Sequence, residues 1–586
     1  MSTTCRSEFP RPDFKRTHWL SLNGTWQFSF SQSALEADLR CGRGFDQEIH
    51  VPFVYQCQKS GIFHTQHHDC VWYARCVTLQ PSQLQGQVLL KFGAVDQKCW
   101  VYINGDLAGT HSGGYTQFAL EIAPFLVPGE NTIAVKVIDT RACHSPRGKQ
   151  YWKEVPDRCW YTESTGIWKA VWLEFTGKTY IQLLRCLPDL DTRSVLLDLS
   201  LNQPFTGSAT ISIFFQHHCC KRVTTLISGQ SLHEILVLSP EDAVDEIHYW
   251  SPEHPNLYAI TIELGNENGI CDRVESYFGM RQIEVRESTI YLNHQPIYQR
   301  LILDQGFWPE SLYTPPDEAA IIRDLELVKA MGFNGIRMHQ KNEDPLFYYH
   351  ADRMGLLVWL EMPSAYAFDT AEIDSMLHEW SEMIQENWNH PSIIAYVPLN
   401  ESWGVRDISR NAAQQHLAAC LYHVTKALDP TRLVSSNDGW EFPQETDFYG
   451  FHNYFHDIAA FSGQFADWAH RLQTGMLNRP LQIPGTTSQH RPVILSEFGG
   501  ITVSADIGSN GAWGYTSAVG AEDYQAQLRA QLQTVVQLDY LSGYCYTQLT
   551  DVMQEVNGLL RADRSPKLSL EIYRTIFSEP PLQYRK

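Results

Sequence analysis

Three patterns of apolar and polar positions follow one another along this 586-residue chain. Over residues 1–178, short alternating runs such as Val88–Phe92, Cys99–Ile103 and Thr132–Val137 predict strands separated by turns. Asn104-Gly105-Asp106, between Val101-Tyr102-Ile103 and Leu107, is a hairpin signal, since Asn and Gly accept the left-handed backbone of a tight turn. Pro128-Gly129-Glu130-Asn131 marks another turn. A sandwich or jelly roll accounts for this region. From 179 to 284 the runs Ser194–Leu201, Ala209–Phe215, Leu232–Leu238, Leu257–Leu264 and Arg273–Ile283 predict a small immunoglobulin-like sandwich, with the boundary near Gly177.

After Arg286 the period changes, and strand-like runs alternate with amphipathic helices. Asp317 follows Pro315-Pro316 and can cap a helix on which Ile321, Leu325 and Val328 share one face. The apolar runs Ile297–Leu303, Gly335–His339, Leu356–Met362, Ile393–Asn400, Arg432–Ser436, Phe448–Tyr454, Val493–Glu497 and Gly543–Leu549 make eight strands. A helix near Glu522–Leu538 separates the last two. This spacing predicts a (β/α)₈ barrel over 285–586. The expected architecture is therefore multidomain: jelly roll, immunoglobulin-like sandwich, then barrel.

Composition narrows the partners. A net charge of −21 repels phosphate backbones and anionic lipid headgroups, so neither nucleic acid nor a membrane is expected as a partner. A polyanionic polymer is repelled as well, unless a pocket locally reverses the sign. The first 30 residues hold no apolar stretch of signal-peptide length, and no later run reaches the roughly 20 residues of a membrane span. The 14 cysteines, from Cys5 and Cys41 to Cys545, are scattered and form no CxxC pair; Cys219 and Cys220 are adjacent. Reduced thiols in a cytoplasmic protein are the expectation. The 17 Trp and 27 Tyr suit the stacking of sugar faces, although most aromatics in any protein are core.

Active sites of such barrels sit at the C-terminal ends of the strands. Strand 4 ends Pro398-Leu399-Asn400-Glu401-Ser402-Trp403-Gly404, and strand 7 ends Leu495-Ser496-Glu497-Phe498-Gly499-Gly500. A carboxylate directly after an apolar barrel strand points into the site, and strands 4 and 7 lie on opposite sides of the mouth. Two facing carboxylates are the equipment of glycoside hydrolysis, one protonating the leaving oxygen while the other attacks the anomeric carbon. Asp304 ends strand 1 and Glu361 ends strand 3; each is a candidate for binding substrate hydroxyls or for structural ion pairing. Trp403 and Trp513 are candidate stacking platforms.

These segments resemble glycoside hydrolase family 2, the β-galactosidase, β-glucuronidase and β-mannosidase group. Asn387-Trp388-Asn389-His390-Pro391-Ser392 followed by Asn400-Glu401-Ser402 resembles the family's acid/base signature, and Leu495–Gly499 its nucleophile segment. Asp13–Trp26, ending Leu22-Asn23-Gly24-Thr25-Trp26, resembles the usual opening of its jelly roll. The resemblance implies a retaining exo-glycosidase with Glu401 as acid/base and Glu497 as nucleophile. It implies that Asn400 binds the sugar 2-hydroxyl, that Tyr454 hydrogen-bonds the nucleophile, and that Arg337 and His339 line the site. His452 joins Asp304, His339 and Asn400 as an expected partner of sugar hydroxyls. The resemblance implies no organic cofactor; Mg²⁺ or Na⁺ occurs in some members, and the sequence holds no tight ligand cluster for either.

The chain departs from the family pattern in three places. Arg337 and His339 are separated by one residue rather than two, and Gln340-Lys341 replaces the usual Tyr-Pro. Strand 8 presents Tyr544-Cys545-Tyr546-Thr547-Gln548 where other members carry a Trp that cradles the sugar, so Tyr546 is the candidate for that place. Glu555-Val556-Asn557-Gly558 lacks the Lys that holds a uronate in β-glucuronidases. A neutral β-galactoside, from an oligosaccharide or small glycoside, is therefore the favoured substrate. An α-L-arabinoside, a mannoside, or a glucuronide or galacturonide are the alternatives, the uronides requiring Lys341 or Lys149 as the cation. A carbohydrate-binding protein with an inactive barrel is the rival from another class, and a homo-oligomer is left open.

Overall fold

The computed structural model describes residues 6–30, 45–238, 247–455, 457–463, 465, 479–487, 490–506, 511–579, 581 and 584; Cys5 and Cys41 lie outside them. The first domain stacks a six-stranded antiparallel sheet on a four-stranded one. Trp26, Phe28, Tyr73, Val101, Val135 and Leu173 fill the space between. Asn104 and Gly105 both carry positive φ, +53° and +91°, and turn the hairpin that pairs Ile103 with Asp106, as their side chains predict.

The second domain is a sandwich of longer strands than the sequence pattern suggests. Ser194–Leu201 and Ala209–Phe215 are parts of one strand, Ser194–Phe215, interrupted by a register shift between Ser200 and Phe205. Pro204 in that gap has no N–H for a ladder, which is why the apolar pattern breaks there while the strand continues. Its partner His218–Val237 is likewise longer than the apolar run Leu232–Leu238.

Barrel strands β1 (Gln299–Asp304), β2 (Gly335–Met338), β3 (Leu357–Glu361), β4 (Ile393–Val397), β5 (Leu433–Val434), β6 (Tyr449–Asn453), β7 (Val493–Gly499) and β8 (Leu541–Thr547) form one parallel sheet. Their pairing order is 5-4-3-2-1-8-7-6, the neighbour relations of a (β/α)₈ barrel. Residues pointing inward, such as Leu301, Leu303, Trp359, Val397, Ile494 and Cys545, fill the barrel. Those pointing outward pack on helices. Helix α1 (Glu318–Ala330) starts as its sequence dictates: the Asp317 carboxylate accepts from Ala320 N, and Ile321, Leu325 and Val328 are buried. Among the described residues no helix is long and apolar enough to cross a membrane.

Residues 139–165 leave the jelly roll and lie against the C-terminal ends of the barrel strands. Arg147 N and Gly148 N both donate to Ser364 O, and Tyr366 N donates to Cys143 O. Gly148, at φ +58°, sits so close to the turn after β2 that a Cβ would fall 2.3 Å from Gln340 O. Only glycine fits there.

Candidate active site

The carboxylates ending β4 and β7 converge. An oxygen of Glu401, an oxygen of Glu497 and a ring nitrogen of His452 lie within 4.8 Å of one another. Two irregularities of the sheet produce this. The β6–β7 register slips after Phe451, so that His452 pairs with Glu497, and the β7–β8 register slips between Leu495 and Phe498. A bulge at Ser496–Glu497 re-aims the second side chain into the barrel mouth. Beyond β4 the backbone itself is strained: Glu401 and Ser402 have φ of +54° and +57°. Hydrogen bonds hold this turn, from Glu401 N to Asp438 O at 2.8 Å, from Ser402 N to Asn437 Oδ1 at 3.0 Å and from Ser402 Oγ to Glu441 Oε2 at 2.6 Å.

Arg337, in β2, is fully buried and is the hub of the site. Its Nε donates to Glu361 Oε2 (3.0 Å), its Nη1 to Glu497 Oε1 (3.0 Å) and Ser496 O (3.0 Å), and its Nη2 to Asn400 Oδ1 (2.8 Å). Asp438 Oδ2 lies 3.0 Å from the same Nη1. One guanidinium thus orients both the Glu497 carboxylate and the Asn400 amide, which a point-charge lysine could not do. Tyr454 Oη donates to Glu497 Oε2 at 2.7 Å and lies 2.9 Å from Thr547 Oγ1, with its ring stacked on Tyr515 at 3.6 Å.

His452 is wedged among three carboxylates: Nδ1 lies 2.7 Å from Glu401 Oε1, and Nε2 lies 3.2 Å from Asp438 Oδ2 and 3.4 Å from Glu497 Oε1. Burial opposes its charge, but Glu497, Asp438 and Glu401 outweigh burial and push it up to about 10. Burial likewise disfavours ionised Glu401, yet His452 and Lys149 hold Glu401 down to about 2. Gly439, at φ +106°, makes room for the imidazole, since a Cβ there would meet its Cε1 at 2.9 Å. The Glu401–His452–Glu497 trio is a ligand cluster that the sequence does not disclose. Both imidazole nitrogens face carboxylates, an arrangement that favours a proton on the ring.

The remaining expected residues divide. His339 lies beside Glu361, Nδ1 to Oε2 2.9 Å, and burial, Lys149 and Arg337 keep its imidazole neutral. Glu361, fully buried against Arg337 and His339, is an ion-pair partner, and burial pushes it up to about 7 against the pull of Arg337. Asp304 accepts from Gly306 N at 3.0 Å and is raised to about 6 by burial and then by Asp324. Among the described residues no contact ties Asp304 to the Glu401–Glu497 pair. Trp403 Nε1 reaches Glu401 Oε2 at 3.3 Å, and its ring meets Trp160 edge-on at 5.1 Å, at the mouth. Trp513 packs beside Tyr515 at 5.2 Å.

Two expectations are corrected. Tyr546 does not face a sugar. Strand parity turns Cys545 inward and Tyr546 outward, where it packs on Phe498 and Phe577, and Thr547 reaches the site instead. Lys341 is neither a uronate clamp nor a solvated residue. It is fully buried, donating to Gly306 O (2.8 Å), Tyr313 O (2.6 Å) and Glu343 Oε2 (2.6 Å). Sequence reasoning missed Asp438 and Tyr515. Asp438 follows the two-residue strand β5 and satisfies the same strand-end criterion as the two glutamates. Tyr515, in the loop after β7, carries no such signal.

Family models match the chain in three consecutive blocks. Residues 19–174 match the sugar binding domain of glycosyl hydrolases family 2, 179–281 its second domain model, and 283–579 its TIM barrel domain. A putative β-glucuronidase of Formosa agariphila is 25% identical over 63% of this chain and 45% of its own length. A β-galactosidase of Vibrio vulnificus is 24% identical over 75% of this chain and 41% of its own. The match thus spans less than half the length of either relative. The solved β-D-glucuronidase of Dictyoglomus thermophilum superposes with a TM-score of 0.78 at 19% identity, covering 98% of this chain and 99% of that one.

Proposed function

The chain belongs to glycosyl hydrolases family 2, and from that premise we propose that it removes a terminal β-linked sugar from a glycoside with retention of configuration. The observation that carries the reading is that one carboxylate oxygen of Glu401 comes within 4.8 Å of one of Glu497. Retaining glycosidases keep their carboxyl groups about 5–5.5 Å apart, whereas inverting ones need roughly 6.5–9.5 Å to seat a water. Glu497 is the nucleophile in this reading: Arg337 and Tyr454 each bind one of its oxygens and aim it at the anomeric carbon. Asn400, oriented by Arg337, remains the residue for the 2-hydroxyl.

Glu401 is the acid/base, and it does not act alone. A carboxyl held at about 2 carries no proton at neutral pH, but His452, 2.7 Å away and raised to about 10, does. The two side chains form one acid that shares a proton and delivers it through Glu401 as negative charge grows on the leaving oxygen. After the aglycone leaves, the same dyad takes a proton from the attacking water.

The names of the relatives point to two sugars, a neutral β-galactoside and a β-uronide. Hydrolysis of nitrophenyl glycosides of both kinds, followed by proton NMR of the first product formed, tests the reading. The β-anomer is expected; an initial α-anomer, or a barrel inert toward every glycoside, overturns it.

A further inference from the structure

Four lysines are buried among the described residues: Lys91, Lys149, Lys169 and Lys341. Three have oxygen partners. Lys91 pairs with Glu174 at 3.2 Å, Lys169 donates to Tyr115 O at 3.2 Å, and Lys341 has its three acceptors. Lys149 is 7% exposed, and among the described residues its ammonium forms no ion pair within 4.0 Å; it lies over the face of the Trp160 ring. Its Nζ is not among the fully enclosed polar atoms that lack a partner, so the ammonium keeps an open face, at which an anion would gain a poorly solvated cation.

The backbone delivers Lys149 to this place with some care. Gly148 presses against the turn after β2, Tyr161 N donates to Lys149 O at 2.8 Å, and Tyr366 Oη donates to Gly148 O. The ammonium lies 6.0 Å from the Trp160 ring, Trp160 abuts Trp403, and Trp403 touches Glu401. Burial disfavours its charge, but the acidic groups around it, the Glu555 and Glu497 carboxylates among them, keep it above the ordinary lysine value. Glu555, which would oppose an anion, already has both oxygens engaged: Oε2 accepts from Tyr161 Oη at 2.6 Å and Oε1 from Asn557 Nδ2 at 2.9 Å.

Resting on the glycosidase reading above, we propose that Lys149, supplied by the jelly-roll domain, binds a carboxylate on the terminal sugar, so that the enzyme acts on uronides. The preference for a neutral sugar drawn from the sequence rested on the missing Lys near Asn557. A cation from another domain removes that reason, and locally reverses the sign of an otherwise acidic surface.

The test compares kcat/KM for nitrophenyl β-galacturonide, β-glucuronide and β-galactoside in the wild type, Lys149→Met and Lys149→Arg. In the wild type at least one uronide should be cleaved faster than the galactoside. Lys149→Met should lower the uronide-to-galactoside ratio by roughly 10²–10³-fold, and Lys149→Arg should restore part of it. Equal losses on both sugars would overturn the proposal and mark Lys149 as a counter-charge to the buried carboxylates. A wild-type preference for the galactoside would overturn it while leaving the glycosidase reading intact. Calorimetric binding of free galacturonate and glucuronate against free galactose needs no turnover and no variant. Binding of a uronate, without measurable galactose binding, is expected, and it supports the anion site even if hydrolysis fails. Equal or absent uronate binding counts against it.

Discussion

Replacing His452 by Asn tests the shared-proton acid most sharply. The imidazole is fully buried, 2.7 Å from Glu401, and raised to about 10, so at pH 7 the wild-type dyad holds its proton almost completely. Without His452 the proton must sit on Glu401 itself, whose ordinary value is 4.5. A group at 4.5 is protonated about one part in 300 at pH 7, since each pH unit is a factor of ten. In the variant burial, the largest influence on Glu401, still works to raise that value and Lys149 to lower it, so a loss between about tenfold and about 300-fold is expected. The assay is kcat/KM from pH 4 to 10 on two glycosides of one sugar, with a good and a poor leaving group. His452→Asn should pull the basic limb acidward by at least one unit, and the poor leaving group should suffer most. A variant that keeps the wild-type limb, and stays within threefold at pH 7 on the poor leaving group, would refute the reasoning.

Three further outcomes follow from the same contacts. Glu401→Ala should retain partial activity on substrates with good leaving groups and lose nearly all activity on alkyl glycosides; a uniform loss would count against the acid/base assignment. Tyr454→Phe deletes a 2.7 Å hydrogen bond to the Glu497 carboxylate while keeping the stack on Tyr515. Hydrogen bonds to charged groups contribute about 1.5–3 kcal/mol, so kcat/KM should fall about 10–100-fold with unchanged thermal stability, and a loss below threefold contradicts the assigned contact. Stability should also depend on His452. Its folded value of about 10 exceeds the ordinary 6.5, so the folded state binds the extra proton. That stabilisation is present in full below pH 6.5 and fades as pH rises through about 10. The Tm difference between wild type and His452→Asn should accordingly be larger at pH 6 than at pH 10.5; the opposite trend would show the imidazole to be neutral.

Much of the architecture was legible because apolar periodicity changes from two to a strand–helix alternation at Arg286, and because Asp317 announces its helix. Glu401 and Glu497 were legible for a related reason: each directly follows an apolar barrel strand. What decides their geometry was not. The bulge at Ser496–Glu497 leaves no mark in composition, and the partners of Arg337 come from β3, β4, β7 and the segment after β5. Tyr546 was misplaced although strand parity, read from Tyr544 and Cys545, was available to correct it. Lys341 was named as a cation for a uronide because it follows a strand end, whereas Glu343 two residues on draws it into the core. Lys149 was readable only as a distant cation, since what brings it to the mouth is the packing of one domain on another.

The central claim is a covalent glycosyl–enzyme intermediate on Glu497. Incubation with 2-deoxy-2-fluoro-glycosyl fluorides of galactose, glucuronate and galacturonate, followed by peptide mapping with mass spectrometry, tests it directly. One equivalent of label on the peptide bearing Glu497 is predicted, absent in Glu497→Gln and retained in Glu401→Gln. Label on the Glu401 peptide, or steady turnover of these fluorides with no adduct on any residue, would contradict it.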